Sequence, residues 1–356
     1  MHLLQLDVAD VRSVQQARLM PSRGLNVLFG PNGAGKTSIL EAVHVLGTGR
    51  SFRTRRAGDL VRRGCDRLTV HGVVAGEAGK RRSIGVELGQ GAPRIRVDGE
   101  DVRAASSLAR LLPMVLVTPE SHRVLNDGAA ERRQLVDWAM FHVEPAYSEA
   151  HQRYLRALRQ RNILLREGRG IRELAPWTDE LVAGGQRVAE LRSLHLEHLL
   201  PAFSSYLEAL MAVPVCVQFA QGWKGSLAAA LEDSLDGDRA RGFTGVGPHR
   251  ADLRCTVDGR EARHVLSRGE GKLFVVGLHL AQADYLARTR EEVPLVMLDD
   301  LASELDEDSR RRVLDAVHSL SAQTFITTVD RELVGPTPGQ TMAVFHVEQG
   351  QITPVI

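Results

Sequence analysis

The sequence predicts an α/β fold in which a strand-rich shell brackets a helical insertion. Three observations predict it. Apolar residues alternate with polar ones through most of the first 117 residues, they recur at spacings of three and four between about 129 and 211, and strand patterns return after Val215. A chain of 356 residues suits two domains, or one domain carrying a large insertion.

The elements follow in order. Leu25 to Phe29 is a short apolar run that stops at Gly30, and Ile39, Leu40 and Val43 after it repeat as a helix does. Leu68 and Val70, Ile84 and Val86, and Ile95 and Val97 alternate with polar neighbours; Asp98-Gly99 is a hairpin-turn signal. Met114 to Val117 reads as a buried strand. Tyr147, Tyr154, Leu155 and Leu158 form one helical stripe, and Leu196, Leu199, Phe203, Tyr206, Leu207 and Leu210 form another. Gly168 to Gly170 and Gly184-Gly185 punctuate this region. Val215 to Phe219, Leu253 to Val257, Leu295 to Leu298 and Thr324 to Thr327 are the returning strands.

Composition narrows the function. Forty-five basic and 44 acidic residues leave a net charge of +1, which excludes a uniformly basic coat for nucleic acid but not a local patch. Cys65, Cys216 and Cys255 form no CxxC pair, so neither a disulfide framework nor a zinc site is expected. No apolar run approaches the roughly 20 residues that span a bilayer. The start, MHLLQLDVADVRSV, lacks the pattern of a signal peptide, and the expected location is the cytoplasm. Only four lysines stand among the 45 basic residues, so a lysine at a motif position is informative here.

Gly30, Pro31, Asn32, Gly33, Ala34, Gly35, Lys36 and Thr37 match GxxxxGK[ST] without a mismatch, between a strand and a helix. The chemistry needs these residue types. Glycines let backbone N–H groups wrap a phosphate, the helix start adds its dipole, Lys36 bridges the β- and γ-phosphates, and the Thr37 hydroxyl ligates Mg²⁺. ATP with Mg²⁺ is therefore the expected cofactor pair. Pro294 to Asp300 is an apolar strand ending in two acids, which beside such a loop delivers a carboxylate to the metal. Asp299 is the metal-side candidate, and Asp300 is placed to orient or deprotonate the attacking water.

Leu266-Ser267-Arg268-Gly269-Glu270 precedes an apolar helix pattern. A hydroxyl, a glycine amide and a helix start can bind a second phosphate surface, or simply cap a helix. The segment resembles the signature of ABC-type ATPases, which implies that Ser267 and Gly269 act across a dimer on the partner's nucleotide. Ser303-Glu304-Leu305-Asp306 resembles the D-loop of that superfamily, with Asp306 seven residues after Asp299. No switch histidine follows the strand Phe325 to Val329, and Thr118-Pro119-Glu120 stands where a glutamine is expected. Asp300 and Glu304 are both candidates for the general base.

Five further segments resemble the RecF family, the SMC-like branch of the ABC superfamily. They are Gly49 to Arg53; Glu131 to Arg133 with Leu135 to Asp137; Gly247 to Arg250; Asp299 to Asp306; and Phe325 to Asp330. The chain departs from the family pattern at Ala251 and at Glu270-Gly271-Lys272. The resemblance implies an ABC-type head: a strand-rich nucleotide-binding lobe from residues 1–120 and 290–356, and a helical second lobe, 121–289, that includes the signature helix. It implies a homodimer closed around ATP, weak DNA-stimulated ATPase activity, and binding to double-stranded DNA and single-strand/double-strand junctions. It also implies work with RecR and RecO to load RecA in recombinational repair and replication-gap processing.

Ten basic residues lie between Arg50 and Arg82 against three acidic ones, a local balance of +7. Arg50, Arg53, Arg55, Arg56, Arg62, Arg63, Arg81 and Arg82 are the DNA-contact candidates; a solvated arginine face is the plain alternative. Arg50 and Arg53 are also close enough to the phosphate loop in sequence to serve the nucleotide. Arg132, Arg133, Arg153, Arg156, Arg159 and Arg161 divide evenly between DNA contact and solvation. His249 and Arg250 divide between a turn and nucleotide sensing. A transporter ATPase subunit fits poorly because Ser267 lies 230 residues after Thr37. An SMC-type chromosome protein fits poorly because the insertion has no sustained heptads.

Overall fold

The computed structural model describes residues 1–76, 79–102, 106–300, 305–335 and 341–355. It divides into two compact units, one formed by Met1–Ser121 with Arg268–Ile356 and the other by His122–Ser267. The chain begins with β1 (His2–Val11), β2 (Val14–Leu19), β3 (Leu25–Phe29), α1 (Lys36–Thr48), β4 (Arg67–Ala75), β5 (Arg81–Gly89), β6 (Arg94–Val97), β7 (Glu100–Asp101), α2 (Ser106–Leu111) and β8 (Met114–Val117). It continues through α3 (Arg123–Asn126), α4 (Ala129–Val143), α5 (Pro145–Arg166), α6 (Ile171–Leu210), β9 (Cys216–Ala220), α7 (Leu227–Asp233), α8 (Leu235–Arg241), β10 (Asp252–Val257) and β11 (Arg260–Glu261). It closes with α9 (Arg268–Arg290), β12 (Leu295–Leu298), α10 (Glu307–Ser319), β13 (Thr324–Thr328), β14 (Met342–Glu348) and β15 (Gln351–Pro354).

In the first unit one sheet has the order β15-β14-β3-β13-β12-β8, and all its strands but β15 pair in parallel. A second sheet, β2-β1-β4-β5-β6-β7, is antiparallel. α1 packs on β1, β4 and β5 of the second sheet and on β13 of the first. Its apolar residues Ile39, Leu40, Ala42, Val43, Val45 and Leu46 are all fully buried, the mark of a helix covered on several sides rather than along one stripe. The β4–β5 alternation and the strands at Leu25, Met114 and Leu295 form where the pattern predicted them. The signature helix α9 packs on β8 and α10, so it belongs to this unit. Leu273, Phe274, Val276 and Leu280 of α9 are buried, and the helix groups with this unit, whereas the second lobe expected from the sequence runs to residue 289.

The second unit is a helical hairpin, α5 against α6, with a small sheet β11-β10-β9. Both predicted stripes are buried on these helices, at Tyr147, Tyr154 and Leu158, and at Leu196, Leu199, Phe203, Leu207 and Leu210. Gly168 to Gly170 does separate the helices. Gly184 and Gly185 do not break the chain; they lie inside the 40-residue α6. A Cβ on Gly184 would sit 3.2 Å from Tyr154 Cα, and one on Gly185 would sit 2.5 Å from Leu227 Cδ2. These glycines let the helices approach closely.

Candidate functional site

The turn between β3 and α1 is held by two other turns. Gly30 has φ +151°, and a Cβ there would lie 2.1 Å from the Val347 carbonyl oxygen on β14. No larger residue fits at that position. Gly350 N–H donates to Ala34 O at 2.8 Å, and Ser13 Oγ lies 3.1 Å from where a Gly35 Cβ would be. Inside this cradle Lys36, almost fully buried, donates from Nζ to Gly30 O (2.7 Å) and Pro31 O (3.0 Å). Burial lowers the Lys36 pKa, opposed by the carboxylates of Asp300 and Asp299. The first N–H groups of α1 have no acceptor within the helix and open into the same turn, as an anion site requires.

The acidic strand delivers its carboxylate to that turn. Thr37 Oγ1 donates to Asp299 at 3.0 Å (Oδ1) and 3.2 Å (Oδ2). Thr327 Oγ1, at the end of β13, donates to Asp299 Oδ1 at 2.7 Å and accepts from Asp300 N–H at 2.8 Å. Burial pushes the Asp299 pKa up; the Thr327 and Thr37 hydroxyls oppose it, Asp300 adds to it, and Arg53 opposes it. Asp300 takes a positive φ of 51°, and Lys272 Nζ of α9 donates to its carbonyl at 2.9 Å. A hydroxyl and a desolvated carboxylate meeting beside a lysine are hard oxygen donors, and this set fits Mg²⁺.

A second device braces the segment after α1. Glu41 is fully buried and accepts from the Arg12 guanidinium (Nη2 to Oε1 at 2.8 Å, with Nε on Oε2) and from the Ser51 hydroxyl. His44 Nδ1 donates to Arg50 O at 2.9 Å, and its pKa is lowered to about 4 by burial. Residues 49–53 are thereby tied to the phosphate-loop helix, and Arg53 reaches the field of Asp299. Sequence reading named Lys36, Thr37, Asp299 and Asp300, which come together here, but missed Glu41 and Thr327. A lone acid in the apolar run of α1 was the available signal for Glu41. For Thr327 it was its place one step beyond the paired residues Leu298 and Ile326.

Other predicted residues have these local settings. Ser267 is exposed before the start of α9, and Gly269 lies in its first turn. Asp306 caps α10, accepting from Ser309 N–H at 2.8 Å and Ser309 Oγ at 3.0 Å, which lowers its pKa. Glu304 and Ser303 lie outside the described residues.

The arginine cluster of the sequence is not one patch. Residue 67 pairs with 89 and residue 75 with 81, so Arg62 and Arg63 lie toward one end of the β4–β5 hairpin and Arg81 and Arg82 at the other. The ends are about 26 Å apart at ~3.3 Å per residue. Arg82 pairs with Asp98, and Arg62 lies 3.8 Å from Asp10. Arg50, Arg53, Arg55, Arg56, Arg63 and Arg81 are exposed, with no ion pair among the described residues.

In the second unit several arginines are engaged by acceptors within the protein. Arg132 is bidentate on Asp252 (2.8 and 3.1 Å), and Arg133 donates to Ala251 O at 2.7 Å. Arg153 pairs with Glu180, and Arg161 is buried on Asp238 at 2.9 Å. Asp137 accepts from Tyr147 Oη (2.7 Å) and Arg192 Nη2 (2.6 Å). His249 Nε2–H donates to Thr244 O at 3.0 Å, so Nδ1 accepts from the Tyr154 hydroxyl at 2.5 Å. Burial holds the His249 pKa at about 4. The ring braces the turn between Thr244 and Tyr154.

Among the described residues no helix is long and apolar enough to cross a membrane. The family model described as RecF/RecN/SMC N terminal domain matches residues 2–353. The DNA replication and repair protein RecF of Edwardsiella ictaluri is 37% identical over 356 residues, covering 99% of each chain. That of Azotobacter vinelandii is 40% identical over 360 residues, covering 99% of this chain and 98% of its own. A solved structure of the recombination mediator protein RecF with ATPrS, in the RecFOR pathway, superposes with TM-score 0.87 at 25% identity, over 100% of this chain and 98% of that one. An Smc head domain from Pyrococcus furiosus shares the fold, with TM-score 0.63 at 14% identity over 99% and 96% of the two chains. With the family model matched over residues 2–353 and relatives 37% and 40% identical over 99% of its length, the chain belongs to the RecF family of the RecF/RecN/SMC group.

Proposed function

We propose that this RecF-family protein is a cytoplasmic, ATP-dependent DNA-binding protein of recombinational repair and replication-gap processing. In this reading it dimerises around ATP as a clamp and hydrolyses the nucleotide slowly. The observation that carries the reading is the junction of the phosphate loop and the acidic strand, where Thr37 Oγ1 lies 3.0 Å from Asp299 Oδ1 beside the buried Lys36. In this scheme residues 30–37 hold the phosphates, and Thr37 with Asp299 holds Mg²⁺, which neutralises phosphate charge when bound. Asp300 or Glu304 serves as the base. Ser267 and Gly269 close on the partner's nucleotide, and Asp306 contributes through the segment it caps.

Slow hydrolysis then acts as a timer: the γ-phosphate joins both subunits, and ADP cannot. Arg50, Arg53, Arg55, Arg56, Arg62 and Arg63, with Arg81 and Arg82, contact duplex DNA or its junction with a single strand and stimulate the ATPase. The RecFOR description of the solved relative supports extending the partners to RecR and RecO, and through them to RecA.

The test is oligomeric mass with ATP, with ADP and without nucleotide, for the wild type, Asp300→Asn and Ser267→Arg, with duplex binding read in parallel. ATP should convert monomer to dimer, Asp300→Asn should hold the dimer, Ser267→Arg should abolish it, and DNA binding should follow the dimer. Mass and DNA affinity that both ignore nucleotide would overturn the reading.

A further inference from the structure

β13 (Thr324–Thr328) is buried along its whole length, and Thr324, Thr327 and Thr328 make up most of it. Valine has the same branched shape and would fill such a strand with no polar group to satisfy, so each buried hydroxyl needs a partner. At two of these positions the partner is two residues away. Thr324 Oγ1 donates to Ala322 O at 3.1 Å, and Thr328 Oγ1 donates to Asp330 O at 3.0 Å. Thr327, 1% exposed, reaches instead to the two acids that follow β12, which precede it by 28 and 27 positions.

The single proton of a hydroxyl decides how Thr327 is used. Asp300 N–H donates to Thr327 Oγ1 at 2.8 Å, so the oxygen accepts there, and its own proton goes to Asp299 Oδ1 at 2.7 Å. One atom thus holds a carboxylate oxygen of Asp299 and the backbone of Asp300.

The sheet shows what this hydroxyl replaces. Val296 N–H donates to Gln323 O at 3.0 Å, and four residues further along the same parallel register Asp300 N–H would meet the Thr327 carbonyl. The ladder stops short of that bond. Asp300 turns out of the strand with φ +51°, and the Thr327 side chain takes the N–H in place of the carbonyl. On the other side of the same residue, Lys272 Nζ of α9 donates to the Asp300 carbonyl at 2.9 Å. Thr327 also pairs with Leu28 of β3, the strand that leads into the phosphate loop. Its hydroxyl therefore stands where the loop strand and the acidic strand are fixed to each other.

We propose that Thr327 is a positioning residue of the nucleotide site, whose hydroxyl sets the direction of the Asp299 carboxylate and of the Asp300 backbone together. Thr37 also holds Asp299, but Thr37 is itself a candidate for Mg²⁺, whereas Thr327 spends both of its bonds on the aspartates. Without the hydroxyl, Asp299 Oδ1 loses a donor, Asp300 N–H loses its acceptor, and the two acids are no longer tied to one point. The inference rests on the nucleotide-site reading above and adds the residue that orients its carboxylates.

The test measures kcat and KM for ATP on the full chain, and the affinity for mant-ATP by fluorescence with Mg²⁺ and with EDTA. Melting of the nucleotide-free protein checks folding. Thr327→Val should lower kcat about 10- to 100-fold, the usual effect of losing a partner that orients a ligating carboxylate. It should also shrink the gain in mant-ATP affinity that Mg²⁺ gives, while affinity in EDTA stays as in the wild type, since residues 30–37 are untouched. Thr327→Ser keeps the hydroxyl and should recover most of both losses. Thr324→Val removes a buried hydroxyl from the far end of the same strand and should change neither. If Thr327→Val does not fold, Thr327→Cys, with only a weak S–H donor, takes its place under the same expectations. A folded variant with the kcat and Mg²⁺ response of the wild type overturns the proposal. So does equal loss in the Ser and Val variants, which would assign the effect to the lost methyl packing or strand fit, or equal loss of affinity in Mg²⁺ and EDTA, which would mean general damage to the site. A wild type whose mant-ATP affinity ignores Mg²⁺ would instead bring down the nucleotide-site reading itself.

Discussion

Asp299 shows what the nucleotide site costs one residue. Burial raises its pKa above the ordinary 3.8, and the hydroxyls of Thr327 and Thr37 oppose the shift. Between 3.8 and the raised value the folded protein keeps a proton that the unfolded chain has released. Stability therefore falls as pH rises through that window, and above it the penalty is present in full. Asp299→Asn removes the buried charge and keeps an oxygen to accept from both threonines. We expect the variant to melt at a higher temperature than the wild type at pH 7, with the difference shrinking as pH drops toward 3.8. We also expect its affinity for ATP in the presence of Mg²⁺ to fall at least about tenfold, a loss of ~1.4 kcal/mol. Melting curves across pH and nucleotide titration with and without Mg²⁺ check the two halves separately. A variant that is less stable at pH 7, or that binds Mg·ATP as the wild type does, contradicts this account.

Elements are positioned in the second unit by buried polar side chains, and this is where the sequence was hardest to read. Arg161 of α5 is 1% exposed and Asp238 of α8 is 0% exposed; the pair, 2.9 Å apart, is joined by Thr178 of α6 and Thr244. Removing one partner leaves a buried charge alone, so Asp238→Ala should cost about 3–5 kcal/mol, while the double variant Arg161→Met/Asp238→Leu should recover much of that. Chemical denaturation of the three chains decides it; equal losses in the single and double variants would mean that the pair does not act as a unit. Apolar periodicity announced α5 and α6 because burial of a stripe repeats locally. It could not show that Arg132, Arg133 and Arg161 point inward, since Asp252, Ala251 and Asp238, to which they donate, lie 120, 118 and 77 positions away. Nor could it show that Gly184 and Gly185 mark a close helix crossing, since the reason lies on Tyr154 and Leu227. The phosphate loop was legible for the opposite reason. Its glycines, lysine and threonine are contiguous, and its chemistry is local.

On the scale of the whole molecule, the first unit is assembled from two stretches of chain and the second from one. The parallel sheet takes β3 and β8 from before residue 122, and β12, β13 and β14 from after residue 267. Parallel neighbours are joined only through a crossover of a dozen or more residues, so this strand order was invisible to local patterning even where each strand was evident. The same topology makes a prediction about folding. Residues 122–267 are continuous and enclose their own apolar core, with Tyr154, Leu181, Leu199, Phe203 and Leu253 fully or almost fully buried. They also hold both partners of the Arg161–Asp238 pair. Expressed alone, this segment should fold into a helical protein that melts cooperatively, and Mg·ATP should leave its melting temperature unchanged. The full chain should gain about 2.7 kcal/mol when ATP is present at a hundred times its dissociation constant, because Lys36, Thr37 and Asp299 all belong to the other unit. A piece ending at residue 120 should fail to fold, since β3 would lose both of its neighbours, β13 and β14. Circular dichroism and calorimetry of the three chains test the scheme. An unfolded 122–267 segment, or one stabilised by ATP, would show that the division into units does not govern folding.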